Sequence, residues 1–249
     1  MSELAHDELA NHIIEKYRAL IKVRYDYEPM KQKLDLPDEL TKEVVDSVRT
    51  YFLNSIYPPI ETRRKIEAAF ATLGSYMTHP GKIWRLLGNM TLAAFKFGKQ
   101  FPAALKAGYI SLQSYLDAKK YEKTLLEAAI EKGFSFPISD EQFEECMAKI
   151  PREDVEDFLN IVKALFRSLT NEELLERTIM IMHTVISKMQ KFPHLYSETE
   201  IEGIYLGIDI IENGYKLFSS FDERTSSLVI DCILQNEHQF FDEVYSSQA

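Results

Sequence analysis

The sequence predicts an all-α protein, with about ten helices in one large helical bundle or in two closely packed helical halves. Apolar residues recur every three or four positions along the 249-residue chain, which is the spacing of a helix with one buried face. Sustained alternation of apolar and polar residues, which marks a half-buried strand, is absent from the sequence. Proline and glycine interrupt the helical pattern at intervals, and these interruptions separate the predicted helices.

Several predicted helix boundaries have local support. Ser139, Thr170 and Ser197 are each followed three residues later by Gln or Glu, which is the capping-box pattern of a helix start. An apolar stripe that includes Tyr205 is predicted to face the core, and because it passes through Gly214 the helix is predicted to continue there. The predicted helices cover residues 2–27, 37–55, 59–78, 82–98, 102–132, 139–149, 151–169, 171–190, 198–219 and 222–245.

The charge of the chain is unevenly distributed around a net value of -10. Residues 1–125 contain 19 Lys and Arg against 15 Asp and Glu, whereas residues 126–249 contain 10 against 24. The change falls near the Gly- and Pro-containing segment 133–139. We therefore predict a basic-leaning helical half over residues 1–132 and an acidic helical half over residues 133–249, with one continuous domain as the alternative. An acidic chain with one basic stretch argues against nucleic-acid binding.

The remaining composition excludes several classes of protein. Cys146 and Cys232 lie far apart and have no CxxC partner, so neither a disulfide framework nor a zinc site is predicted. The amino terminus is acidic where an export signal is basic, and no apolar stretch reaches the roughly 20 residues that cross a bilayer. We therefore expect a cytoplasmic protein without a transmembrane segment. Phosphate-binding, nucleophile-turn and HExxH motifs are absent, so no cofactor, metal ligand or catalytic residue is assigned.

The stretch 68–118 differs most in composition from the rest of the chain, because residues 68–116 contain five cations and no carboxylate. Small side chains at positions 103, 107, 111, 114 and 118 share one helix face and predict a groove. Cations beside aromatic rings suit an amphiphile, because Lys and Arg hold an acidic head group while the rings contact the apolar tail. The candidate binding residues are Trp84, Arg85, Phe95, Lys96, Lys99, Phe101, Lys106 and Tyr109.

Three interpretations of this stretch stay open at the level of sequence. Small residues also allow two helices to pack closely, in which case no ligand is needed. The working hypothesis is a non-enzymatic binding protein whose residues 68–118 contact an amphiphilic or lipid-like ligand, a membrane surface as a peripheral contact, or a partner helix. The alternative is a protein–protein interaction scaffold without a ligand.

A further hypothesis is a helical-bundle enzyme that uses polar residues of the last two helices. Asp231, His238 and Asp242 lie on one stripe of the final helix, where a His between carboxylates suits a general base or a metal ligand. Glu202 or Asp209 of the preceding helix could complete such a site. Exposed ion pairs at the same spacing are the competing interpretation. Four residues of an earlier helix are instead predicted to lie in the core: Met180, Met182, His183 and Met189.

Overall fold

The computed structural model describes residues 3–78 and 101–247, and within these ranges the chain is all-α, which confirms the predicted fold class. Ten α-helices and one π-helical turn are present there, and no strand. The helices are α1 (Glu3–Arg24), α2 (Tyr27–Lys33), α3 (Lys42–Tyr51), α4 (Ile60–Thr78), α5 (Phe101–Glu131), α6 (Asp140–Met147), α7 (Arg152–Leu169), α8 (Glu172–Met189), α9 (Glu198–Ser219) and α10 (Glu223–Ser246). The predicted helix over residues 82–98 lies outside the described residues.

The helix boundaries predicted after residue 100 agree with the structure to within one or two residues. Helix α9 has the predicted bounds and continues through Gly214. Ser139 and Ser197 form complete capping boxes with Gln142 and Glu200. The capping box predicted at Thr170 is wrong, because Asn171 is the N-cap residue and its side chain accepts the hydrogen bond from the Leu174 amide at 2.9 Å.

Helix α5 ends in a glycine cap. Gly133 has a φ of +72°, and its amide donates to the Ile130 carbonyl at 3.0 Å. The Phe134 amide donates to the Ala129 carbonyl at 2.8 Å, so the two bonds together form a Schellman motif. Glycine suits this position because L side chains rarely adopt a positive φ.

The first 56 residues differ from the prediction. The helix predicted over residues 2–27 ends at Arg24, and α2 begins separately after Asp26, whose backbone is extended. The helix predicted to begin at Pro37 begins at Lys42, because Pro37 starts a turn in which its carbonyl accepts from the Leu40 amide at 2.9 Å. Local turns therefore divide this region more finely than its apolar spacing indicates.

A π-helical turn over Phe52–Ile56 directly extends α3. The Tyr57 amide donates to the Phe52 carbonyl at 2.9 Å, which is the five-residue spacing of a π-turn. The Arg18 guanidinium of α1 donates to the Leu53 carbonyl at 2.9 Å and also to the Tyr57 carbonyl. These bonds satisfy carbonyl groups that the end of the helix leaves free.

The chain divides into two compact units. The first unit comprises Met1–Ile60, Asp117–Lys163 and Phe221–Ala249, and the second comprises Glu61–Leu116 and Ala164–Ser220. Each unit takes residues from both sides of position 133. This division describes compactness in space. The division into halves 1–132 and 133–249 concerns the change of charge along the chain, and it stays a prediction.

The core of the first unit is rich in aromatic rings. Tyr25 stacks on Phe52 with ring centroids 5.0 Å apart, and Tyr121 meets Phe158 edge to face at 5.4 Å. Tyr17 meets another tyrosine, Tyr57, at 5.3 Å. All of these rings are buried, and Tyr17 also meets Tyr121 edge to face at 6.5 Å. Contacts between large flat side chains therefore join α1, α5, α7 and the segment around the π-helical turn.

The core of the second unit includes a cluster of aliphatic side chains at a helix pair that approaches very closely. Ile66, Leu73 and Ile210 pack together between α4 and α9. A methyl group built onto Gly203 of α9 would lie 1.9 Å from the Lys65 carbonyl oxygen of α4, so the two backbones meet where α9 has no side chain.

Candidate functional site

The candidate binding residues named from the sequence are only partly described by the structure. Lys106 lies on α5 and is exposed. Phe101 and Tyr109 lie on the same helix, and only their backbone is described. Trp84, Arg85, Phe95, Lys96 and Lys99 lie outside the described residues, so the amphiphile site stays a prediction.

One small residue of α5 has a packing role. Gly108 is buried, and a methyl group built on it would meet Thr178 at 3.5 Å and Met182 at 3.6 Å, both on α8. These distances are ordinary van der Waals contacts. At this position the lack of a side chain therefore serves helix packing, as the packing interpretation expects.

The residues of the enzyme hypothesis lie on exposed or half-exposed surface. The His238 side chain is 47% exposed, and its Nδ1 lies 3.6 Å from a Glu156 carboxylate oxygen. Asp242 lies 3.8 Å from Arg152, and Glu202 pairs with Lys65 at 2.6 Å. Within the described ranges, no group of three His, Cys, Asp or Glu side chains is placed to hold a metal ion.

Three core assignments made from the sequence are wrong. Met180 is 42% exposed, Tyr205 is 41% exposed and His183 is also exposed, whereas Met182 and Met189 are buried as predicted. The rings of His183 and Tyr205 contact each other edge to face at 6.3 Å. These side chains lie at the solvent side of the apolar stripes, where no helix of the described ranges buries them.

The first unit contains an open groove of about 640 Å³ between α1, α6 and α10. Each helix contributes four residues at positions i, i+3, i+4 and i+7, which form one face over two helical turns. They are Lys16, Ala19, Leu20 and Val23 on α1, Asp140, Phe143, Glu144 and Met147 on α6, and Phe240, Glu243, Val244 and Ser247 at the end of α10. Two turns extend about 10 Å, so the three walls have the same length.

Most of the groove surface is apolar and accessible from solvent. Val23 is 63% exposed, and Leu20, Phe240 and Val244 are partly exposed, whereas Phe143 is nearly buried at 6%. Helix α1 thus has two apolar faces. One face carries the core residues, and the other faces the groove.

Charged side chains lie along the edges of the groove. The Lys16 ammonium pairs with Asp140, and this contact holds the pKa of the Asp140 carboxyl below its usual range. Glu243 pairs with Lys33 of α2 at 2.7 Å, and Glu144 is exposed. Three carboxylates and one ammonium therefore line the groove itself.

A buried ion pair lies beneath one wall of the groove. Arg24 Nη2 of α1 donates to Glu237 Oε1 of α10 at 2.5 Å, and the two side chains are 3% and 1% exposed. The Tyr25 hydroxyl donates to the same oxygen at 2.6 Å. The Phe240 ring, which lines the groove, lies over the Arg24 guanidinium at 4.2 Å. The pair therefore fixes α1 relative to α10 where both helices form the groove.

The surroundings of this ion pair are polar but incompletely hydrogen-bonded. Among the described residues, the hydroxyls of Tyr17 and Tyr57 and the Arg24 Nε atom are buried without a hydrogen-bond partner of good geometry. Burial raises the pKa of Tyr17 to about 12, against a smaller lowering by the Arg24 guanidinium. A buried ion pair contributes little net stability because its desolvation offsets the attraction, whereas removing one partner leaves an uncompensated buried charge.

Sequence reasoning missed both the groove and the ion pair. The second apolar face of α1, formed by Ala19, Leu20 and Val23, was a signal that could have indicated the groove. No comparable signal marks the ion pair, because Arg24 and Glu237 are 213 positions apart and each resembles an ordinary surface charge in the sequence.

Over the part of the chain that the structure describes, the helices lack the combination of length and hydropathy that a bilayer crossing requires.

Protein-family models, curated protein sequences and solved structures were each compared with the chain, and none of them matches it.

Proposed function

We propose that this chain is a helical binding protein that holds an amphipathic helix of a partner protein in the groove between α1, α6 and α10. The observation that carries the proposal is the repeated spacing of the groove residues. Three helices each present an i, i+3, i+4, i+7 face of two turns to the same open space. A fourth helix with apolar residues at the same spacing would complete a four-helix arrangement there.

The size and surface of the groove support a helix as occupant. Its apolar floor includes Val23, which is 63% exposed. Burying this side chain against a partner would remove apolar surface from water, which favours binding. An anionic amphiphile fits less well, because its head group would meet the carboxylates of Asp140, Glu144 and Glu243.

A peptide titration tests this proposal. The probe is a fluorescein-labelled, 18-residue helical peptide with leucines at i, i+3, i+4 and i+7 and an uncharged glutamine and alanine face. We expect saturable binding to the full chain, measured by fluorescence anisotropy, and its loss in Val23→Glu. Ile130→Glu is the matched control, because Ile130 is also exposed, at 43%, but lies outside the groove. No binding by the wild-type chain, or equal binding by the two variants, would contradict the proposal.

A second arm of the same experiment distinguishes the groove proposal from the hypothesis of an amphiphile site in residues 68–118. It expects binding to anionic phospholipid vesicles that is lost when Arg85, Lys96, Lys99 and Lys106 are replaced by glutamine and that is unaffected by Val23→Glu. The groove proposal expects the reverse pattern for the peptide. The set of variants that loses binding therefore shows which of the two sites is used.

A further inference from the structure

We infer that the partner helix is basic, with Lys or Arg side chains beside its apolar face, and this inference rests on the proposed function of the groove. The charges of the groove walls point to this class of partner. Carboxylates of Asp140 and Glu144 on α6 and of Glu243 on α10 line the groove, and Lys16 is the only cation among the described residues that line it. A helix whose flanking residues carry positive charge meets these carboxylates with opposite sign.

The end of α10 adds to this negative character, because its groove residues belong to the last two turns of the helix, where the helix dipole places partial negative charge. The last turn of α1, by contrast, contains Lys22 and Arg24, which offset this charge. The last turn of α10 contains no basic residue that would offset this charge. Cationic side chains of a bound helix would therefore be favoured at that end of the groove.

The existing ion pairs at the edges do not prevent a cation from binding. The Asp140 side chain that pairs with Lys16 is 92% exposed, and the Lys33 and Glu243 side chains are 45% and 58% exposed. Exposed pairs of this kind contribute little to stability, because water and salt screen them. Lys or Arg of a partner can thus replace Lys33 beside Glu243 at small cost. Lys16 is only 18% exposed and can stay in place, because the exposed Asp140 carboxylate can accept a second cation.

Two peptides that differ only in charge test the inference. Both carry the leucine face of the neutral probe, and the remaining positions are lysine in one and glutamate in the other. We expect the lysine peptide to associate with the full chain on the order of tenfold faster than the glutamate peptide at low salt, and the difference to shrink as salt is raised. Stopped-flow fluorescence gives the association rates.

Variants of the groove carboxylates sharpen this test. Glu144→Gln combined with Glu243→Gln should remove most of the advantage of the lysine peptide. Glu127→Gln should leave it unchanged, because Glu127 is similarly exposed, at 65%, but lies on α5 outside the groove. Equal rates for the two peptides, or faster association of the glutamate peptide, would overturn the inference while leaving the groove proposal intact. Failure of the neutral probe and of both charged peptides to bind would instead reject the groove proposal.

Discussion

Helices pack against each other differently within the first unit and within the second. The first unit places an ion pair, Arg24 and Glu237, among tyrosine rings, so helix contacts there depend on matched polar partners. The second unit brings α4 and α9 together at Gly203, where the contact depends on the absence of a side chain. The first unit should therefore be sensitive to changes of charge and pH, and the second to added volume.

The largest effect is expected from breaking the buried ion pair. Arg24→Met leaves the Glu237 carboxylate buried without its cation, and we expect a loss of about 3–5 kcal/mol in the free energy of unfolding. The double variant Arg24→Met/Glu237→Met should recover most of this loss, because no uncompensated charge remains. Urea denaturation followed by circular dichroism measures both.

The control for this prediction is an exposed ion pair of the same unit. Lys33→Met removes the partner of Glu243, and it should cost less than about 1 kcal/mol because the pair is solvated. If Arg24→Met were no more destabilising than Lys33→Met, the buried pair would not hold α1 and α10 together.

A somewhat smaller effect is expected at alkaline pH. An unfolded tyrosine loses its proton near pH 10, whereas burial raises the pKa of Tyr17 to about 12 in the folded chain. The stability linked to Tyr17 is therefore complete below pH 10 and falls as the pH rises towards 12, by about 1.4 kcal/mol per pH unit. Guanidinium denaturation between pH 8 and pH 12 measures this slope.

Tyr17→Phe should make the alkaline slope shallower, because the titrating group is removed. Tyr205→Phe, which changes an exposed tyrosine of the second unit, is the control and should leave the slope as it is in the wild type. An unchanged slope in Tyr17→Phe would show that other groups govern the alkaline loss.

The smallest of the three effects is expected from added volume in the second unit. Gly203→Ala places a methyl group 1.9 Å from the Lys65 carbonyl oxygen, so α4 and α9 must move apart, at a cost of about 1–3 kcal/mol. Gly108→Ala is the control, because its methyl group would make ordinary contacts at 3.5 and 3.6 Å and alanine favours the helix. Thermal unfolding compares the two variants, and equal melting temperatures would contradict the close approach at Gly203.

Local chemistry explains which parts of the fold could be predicted. Helix α9 was predicted with its correct bounds because Ser197 and Glu200 mark its start and its apolar period continues through Gly214. The π-helical turn at Phe52–Ile56 could not be predicted, since Arg18, from a different helix, binds its carbonyl groups. Sequence patterns within one segment cannot show a bond that a distant segment supplies.

The same limit applies to the candidate site. Apolar spacing marks a face of a helix but does not show what covers it, so Tyr205 could not be recognised as exposed. The groove exists because three separate helices each leave one face open at the same place. The burial of Arg24 depends on Glu237, which no feature of either neighbourhood indicates.

The division of the first unit among three stretches of chain has a consequence for synthesis on the ribosome. Glu237 is translated 213 residues after Arg24, which takes roughly 10–40 s at typical elongation rates. During that interval α1 has emerged without α10, so its aromatic and aliphatic side chains are available to chaperones. All of the residues of the second unit, Glu61–Leu116 and Ala164–Ser220, are translated before those of α10. The nascent chain can therefore complete the second unit before the first.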